Sequence, residues 1–72
     1  MANLYYNDGL IIAYASIHQS AKLWSPGAEI TWKRDGRRYS HTIGGLADRF
    51  KTCEEAERFV TNLAKAWIDA NL

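Results

Sequence analysis

The chain carries one cysteine, Cys53, one proline, Pro26, and a net charge of only +1 over 72 residues. Each scarcity excludes something. A lone thiol has no partner for an internal disulfide and argues against a cysteine-rich zinc site, as suits a reducing cytoplasm. The longest apolar run near the N-terminus, Leu10 to Ala15, is too short to span a membrane and has no basic region before it. Neither a membrane partner nor a secretory signal is expected. A charge so near zero gives no argument by itself for a polyanionic ligand. No pair of His, Cys, Asp or Glu shows metal-ligand spacing, and Gly44-Gly45 lacks the Gly-x-x-x-x-Gly-Lys pattern of a phosphate loop. No metal and no cofactor are expected. Internal repeats and low-complexity segments are missing too.

What is present is a globular composition, 47% hydrophobic and 12% aromatic. One domain spanning residues 1–72 is expected, near the lower limit at which a hydrophobic core stabilises a chain unaided. Dimerisation would relieve that limit. The charges are unevenly placed. Residues 1 to 51 hold Lys22, Lys33, Arg34, Arg37, Arg38, Arg49 and Lys51 against Asp8, Glu29, Asp35 and Asp48. The remainder holds Arg58 and Lys65 against Glu54, Glu55, Glu57 and Asp69, so the first part is mildly basic and the last mildly acidic.

Asp35-Gly36 lies between two runs of alternating residues and predicts a type I′ hairpin, in which both turn residues take positive φ. The register follows: Arg34 opposite Arg37, Lys33 opposite Arg38, Trp32 opposite Tyr39, and so on to Ala28 opposite Ile43. One face then carries Ala28, Ile30, Trp32, Tyr39, His41 and Ile43, ending in Arg34 and Arg37. The other carries Glu29, Thr31, Lys33, Arg38, Ser40 and Thr42. Upstream, Leu4-Tyr5-Tyr6, Asn7-Asp8-Gly9 and Leu10 to Gln19 predict a first hairpin with a three-residue turn, Gly9 being left-handed. The wholly apolar row Ile11, Ala13, Ala15, Ile17 marks its second strand as central. Ser20 to Gly27 is expected as a loop, with an extension of strand at Lys22 to Trp24 as the alternative.

Thr52 with Glu55 three residues on forms a capping box and starts a helix. Ala56, Phe59, Val60, Leu63, Ala66, Trp67 and Ala70 form one stripe, expected to pack on the sheet face bearing Ile30, Trp32, Tyr39 and Ile43. Ile68 and Leu72 fall off that stripe and are expected to meet the N-terminal hairpin or a second subunit. The predicted fold class is α+β: an antiparallel sheet of three to four strands, in two hairpins, with one C-terminal amphipathic helix on one face. The strands are placed at about 3–6, 10–19, 28–34 and 37–43 and the helix at about 53–70.

Among candidate reactive groups, Cys53 stands at the first helical position, where the helix dipole favours a thiolate. It needs a base, which only His18 or His41 could supply. A plain small residue beside the cap is the simpler account, and His41 alternates with core residues as a structural imidazole bonded to a neighbour. No catalytic residue is expected, and the protein is taken as non-enzymatic. Lys33, Arg34, Arg37 and Arg38 cluster at one turn, with Thr31, Ser40 and Thr42 on the outer face. A two-stranded ribbon of this kind suits nucleic acid, arginines and hydroxyls reaching bases or phosphates. Charged residues also keep a hairpin tip solvated and an edge from aggregating. Tyr5, Tyr6, Tyr14 and Trp24 offer stacking surfaces for single strands, core or interface packing being the simpler use of most.

Two resemblances attach to these residues. Tyr6, Gly9-Leu10, Ile30 to Lys33, Asp35-Gly36, His41, Phe50, Glu54-Glu55-Ala56, Ala64-Lys65 and Ile68-Asp69 resemble the small bacterial HlyU-like family, whose label is transcriptional activator. That likeness implies a short antiparallel sheet with a closing helix. Phe50-Lys51-Thr52-Cys53-Glu54-Glu55-Ala56 resembles the sheet-to-helix passage of ethylene-response-factor domains and phage integrase arm-binding domains. This second likeness implies the architecture of a DNA-binding domain but not its contacts. The expectation is a small cytoplasmic binding module, nucleic-acid-binding or transcription-associated through Lys33, Arg34, Arg37 and Arg38. The alternative is a protein-interaction or structural domain that homodimerises through exposed Trp24, Ile68 and Leu72.

Overall fold

The computed structural model describes residues 2–72. It contains strands β1 (Ala2–Tyr6), β2 (Gly9–His18), β3 (Leu23–Arg34) and β4 (Arg37–Ile43), followed by helix α1 (Cys53–Asn71). The strands form one antiparallel meander in the order β1-β2-β3-β4, with α1 across one face of β2 and β3. The fold is therefore α+β, a sheet of four strands and a closing helix.

The β3–β4 hairpin has the register its sequence dictates, from Arg34 opposite Arg37 to Ala28 opposite Ile43, with Asp35 at φ 54 and Gly36 at φ 77. The first hairpin differs from expectation. Tyr6 pairs with Gly9, so the turn has two residues, and the left-handed one is Asn7 at φ 52. Gly9 is a strand residue whose small size serves packing: a Cβ there would lie 3.0 Å from Ile68 Cδ1.

β3 also begins earlier than the expected loop at Ser20 to Gly27 allows, because Pro26 and Gly27 sit inside the strand. The proline is tolerated for a geometric reason. The Trp24 amide donates to the Phe50 carbonyl at 2.7 Å, and the Phe50 amide donates back at 3.0 Å. Alternate residues of a strand turn their peptide groups to the same side, so Pro26 faces that edge too. There β4 has already ended at Ile43, and no ladder bond calls for the missing N–H. Gly27 lies under the Tyr14 ring, where a Cβ would stand 2.5 Å from Cε2.

Thr52 caps α1 as its sequence predicts, Oγ1 accepting from the Glu55 amide at 3.1 Å, although the carboxylate does not bond back among the described residues. The buried face of the helix corrects the expected stripe. Ala56, Val60, Ala64 and Ile68 are buried, whereas Leu63 is 37% exposed and Ala66 and Ala70 face solvent. A row at every fourth position, alternately small and branched, lets the helix settle closely onto Ile11, Ala13, Ala28 and Ile30. Bulkier rings flank it, Phe59 beside Phe50 at 5.0 Å and Trp67 beside Trp32 at 5.3 Å. Each fully buried Ile or Val side chain here contributes about 1.5–3 kcal/mol before chain entropy is charged.

Candidate functional site

β2 pairs with β3 only as far as Gly9 opposite Trp32, so Lys33 through Arg38 project past the neighbouring strand as a two-stranded tip. Lys33, Arg34, Arg37 and Arg38 are all exposed. Strand alternation divides them, Arg34 and Arg37 to the helix side of the sheet and Lys33 and Arg38 to its open side. The two cross-strand pairs they form are both like-charged, an arrangement that destabilises a sheet by roughly 0.2–1 kcal/mol per pair.

Each side of the tip adjoins a depression. On the open side a hollow of about 390 Å³ is lined by Tyr5, Asn7, Leu10, Thr31, Lys33 and Arg38, among others. Tyr5 reaches it from β1 through the row Tyr5–Leu10–Thr31–Ser40, and is 81% exposed. On the helix side a hollow of about 410 Å³ lies among Arg34, Trp32, Tyr39, His41, Trp67 and Leu72. Its rings are engaged with one another: Trp32 stacks on Tyr39 at 5.9 Å, and His41 on Trp67 at 4.2 Å and 10°. His41 thus belongs to the core edge, held by a ring and not by the hydrogen-bonded neighbour expected for it.

The remaining candidates take structural places. Arg49 donates through Nη1 to the Leu46 and Asp48 carbonyls at 2.7 and 2.8 Å, closing the loop before the helix, away from the basic tip. Tyr6 donates to Asp69 at 3.0 Å and ties the first turn to the end of α1. That bond, with burial and the nearby carboxylate charge, raises the Tyr6 pKa above its ordinary value. Burial chiefly, with the Glu57 carboxylate second, pushes the Cys53 thiol up, opposite to the shift a nucleophile needs. His41 contacts Trp67, fourteen residues along α1 from Cys53 and therefore about 21 Å away along the axis. His18 bonds Ser25 at 2.5 Å.

Ile68, expected to lie exposed for a partner, is 1% exposed and packs among Ile11, Ile30 and Ala64. Its place off the apparent stripe reflects contact with the N-terminal hairpin, the other outcome anticipated. Trp24 and Leu72 are half-buried. Among the described residues no cluster of three or more His, Cys, Asp or Glu could hold a metal ion, and no helix is long and apolar enough to cross a membrane. The residue that sequence reasoning did not separate from its neighbours is Tyr5; its parity with Thr31 and Lys33 across the pairings was the available signal.

No family model matches the chain, and no curated protein or solved structure matches it either.

Proposed function

We propose that this protein is a non-enzymatic nucleic-acid-binding module that grips phosphates with Lys33, Arg34, Arg37 and Arg38. One observation supports this above the others: two consecutive like-charge cross-strand pairs at a tip that projects beyond the rest of the sheet. Solubility alone is served as well by charges of mixed sign, which also stabilise the strand pairing. A row of anionic phosphates relieves the repulsion and releases counterions on contact. Thr31, Ser40 and Thr42 on the open face supply hydroxyls to the same backbone. The test is charge reversal, Arg37→Glu with Arg38→Glu, read as binding of labelled nucleic acid over a salt series. The expected result is weaker binding and a log–log salt slope reduced by about 0.7–0.9 per lost phosphate contact. An unchanged slope would overturn the assignment.

A second reading, self-association, is favoured by a different feature. β1 covers β2 only from Gly9 to Ala13, leaving the edge of β2 open at Ala15 and Ile17, and Ile17 is 47% exposed. An open apolar edge is a template for another strand. Sedimentation of the wild type and of Ile17→Lys decides it: a dimer that Ile17→Lys abolishes supports pairing there, and a wild-type monomer at high concentration rejects it.

A further inference from the structure

We infer that the nucleic acid taken by the basic tip is single-stranded, and that Tyr5 is the platform on which one of its bases stacks. This rests on the reading of the tip as a phosphate grip and names the class of ligand that reading leaves open.

The aromatic rings of the chain sort by engagement. Tyr6 is held to Asp69, and Tyr14 lies over Gly27. Trp32, Tyr39, His41 and Trp67 stack on one another, Phe50 packs on Phe59, and Trp24 is half-buried where its backbone pairs with Phe50. Tyr5 alone is 81% exposed, on the open face of the sheet. A tyrosine ring left in water on a strand, beside a hollow lined also by two cations, Lys33 and Arg38, and one carboxylate, Asp8, has a free π-face to offer. β1 and β3 are two strand spacings apart, about 9.6 Å. Thr31 stands at that distance across from Tyr5, and Lys33, two residues farther along β3, is about 12 Å from Tyr5 between Cα atoms. The flexible Lys33 side chain, which lines the same hollow as the ring, covers the rest of the gap to a phosphate adjoining a base on Tyr5.

The floor between them favours bases over phosphates. Leu10, half-buried between Tyr5 and Thr31, is an apolar surface that base faces can cover and a phosphate backbone would have to be desolvated against, and half-buried Ile12 continues it away from the tip. Farther along the same face Glu29, paired across from Ile12, repels a backbone running that way. The positive side chains of the open face are Lys33 and Arg38, with the Asp8 carboxylate on the β1 side of the same hollow turning phosphates toward the tip. A duplex hides its base faces in the stack, whereas a single strand presents them. The footprint is short: phosphates at the tip, one base on Tyr5, a second over Leu10.

The experiment is fluorescence anisotropy of a labelled oligo(dT), an oligo(rU) and a mixed-sequence duplex of equal length, at low salt. Wild type, Tyr5→Ala, Tyr5→Phe and Lys33→Glu/Arg38→Glu are compared, their folding checked by circular dichroism. Single strands are expected to bind more tightly than the duplex. Tyr5→Ala should weaken single-strand binding about five- to hundredfold, the range for losing one stacked base, while Tyr5→Phe keeps it. Duplex binding equal to single-strand binding, with Tyr5→Ala silent but Lys33→Glu/Arg38→Glu weakened, overturns this inference and leaves the phosphate grip standing. A single-strand preference that survives Tyr5→Ala overturns the platform. Failure of the wild type to bind any of the three at low salt overturns both.

Discussion

Tyr14 and Gly27 face each other across β2 and β3, and the ring occupies the space a side chain at 27 would need. A methyl group placed 2.5 Å from Cε2 must move the ring. Overpacking of that kind costs about 1–3 kcal/mol, partly offset by the 0.5–1 kcal/mol or so that alanine gains over glycine in a strand. Gly27→Ala is therefore expected to destabilise by about 1 kcal/mol in the wild type and to stabilise slightly once Tyr14→Ala has cleared the space. A double-mutant cycle by urea denaturation measures the difference, and additive effects would show that the ring does not lie there. Tyr6 gives a pH signature. Its hydrogen bond to Asp69 raises the phenol pKa, so the fold holds that proton more tightly than the unfolded chain does. The stabilisation is full below the unfolded value, about 10, and is lost as pH climbs through the higher folded value. Asp69→Asn should shift one tyrosine of the alkaline absorbance titration down toward the ordinary range; superimposable curves would mean that the bond is not made in solution.

At the scale of the helix, the decisive residues are small. Ala13 and Ala28 on the sheet make room for Val60, and Ala64 on the helix packs with Ile68 against Ile11 and Ile30, so that each branched side chain is buried beside a small one. Ile68→Ala is expected to cost about 2–5 kcal/mol in chemical denaturation. That is a large part of the roughly 4–11 kcal/mol a domain of this length has. Ile68→Asp would report on folding and not on association. The start of the helix was legible because Thr52 and Glu55 state it locally, and the β3–β4 register was legible because Asp35-Gly36 admits one kind of turn. The buried face was not. Hydropathy ranks Leu63 above Ala64, yet close packing on a sheet selects for the residue that fits, and Leu63 is left at the rim. Gly9 misled in the same way: its form suggested a turn, but its reason lies in Ile68, fifty-nine residues away. Likewise, nothing local to Pro26 reveals that the strand beside it has already ended.

The molecule as a whole is elongated, 45 × 18 × 17 Å, with a radius of gyration of 12.8 Å against about 11 Å for a compact chain of this length. It exposes 4969 Å², where about 4,500 Å² is usual for its mass of 8.2 kDa. The excess follows from covering a long sheet on one face only. The basic tip and the like-charge register were readable in the sequence because both follow from the Asp35-Gly36 turn. The isolation of Tyr5 was not, since it shows only beside the places of the other rings, among them Tyr6 on Asp69 and His41 on Trp67, which contacts between distant segments decide.

Between Ile43, opposite Ala28, and Phe50, opposite Trp24, the chain spends residues 44–49 passing three positions of β3. It bows outward there at Gly44 and Gly45, beside which a Cβ would meet nothing within 4 Å. Chain length at this bow is decoupled from the pairing on either side, so this is where the fold can admit an inserted peptide, a label or a second module with every strand left in place.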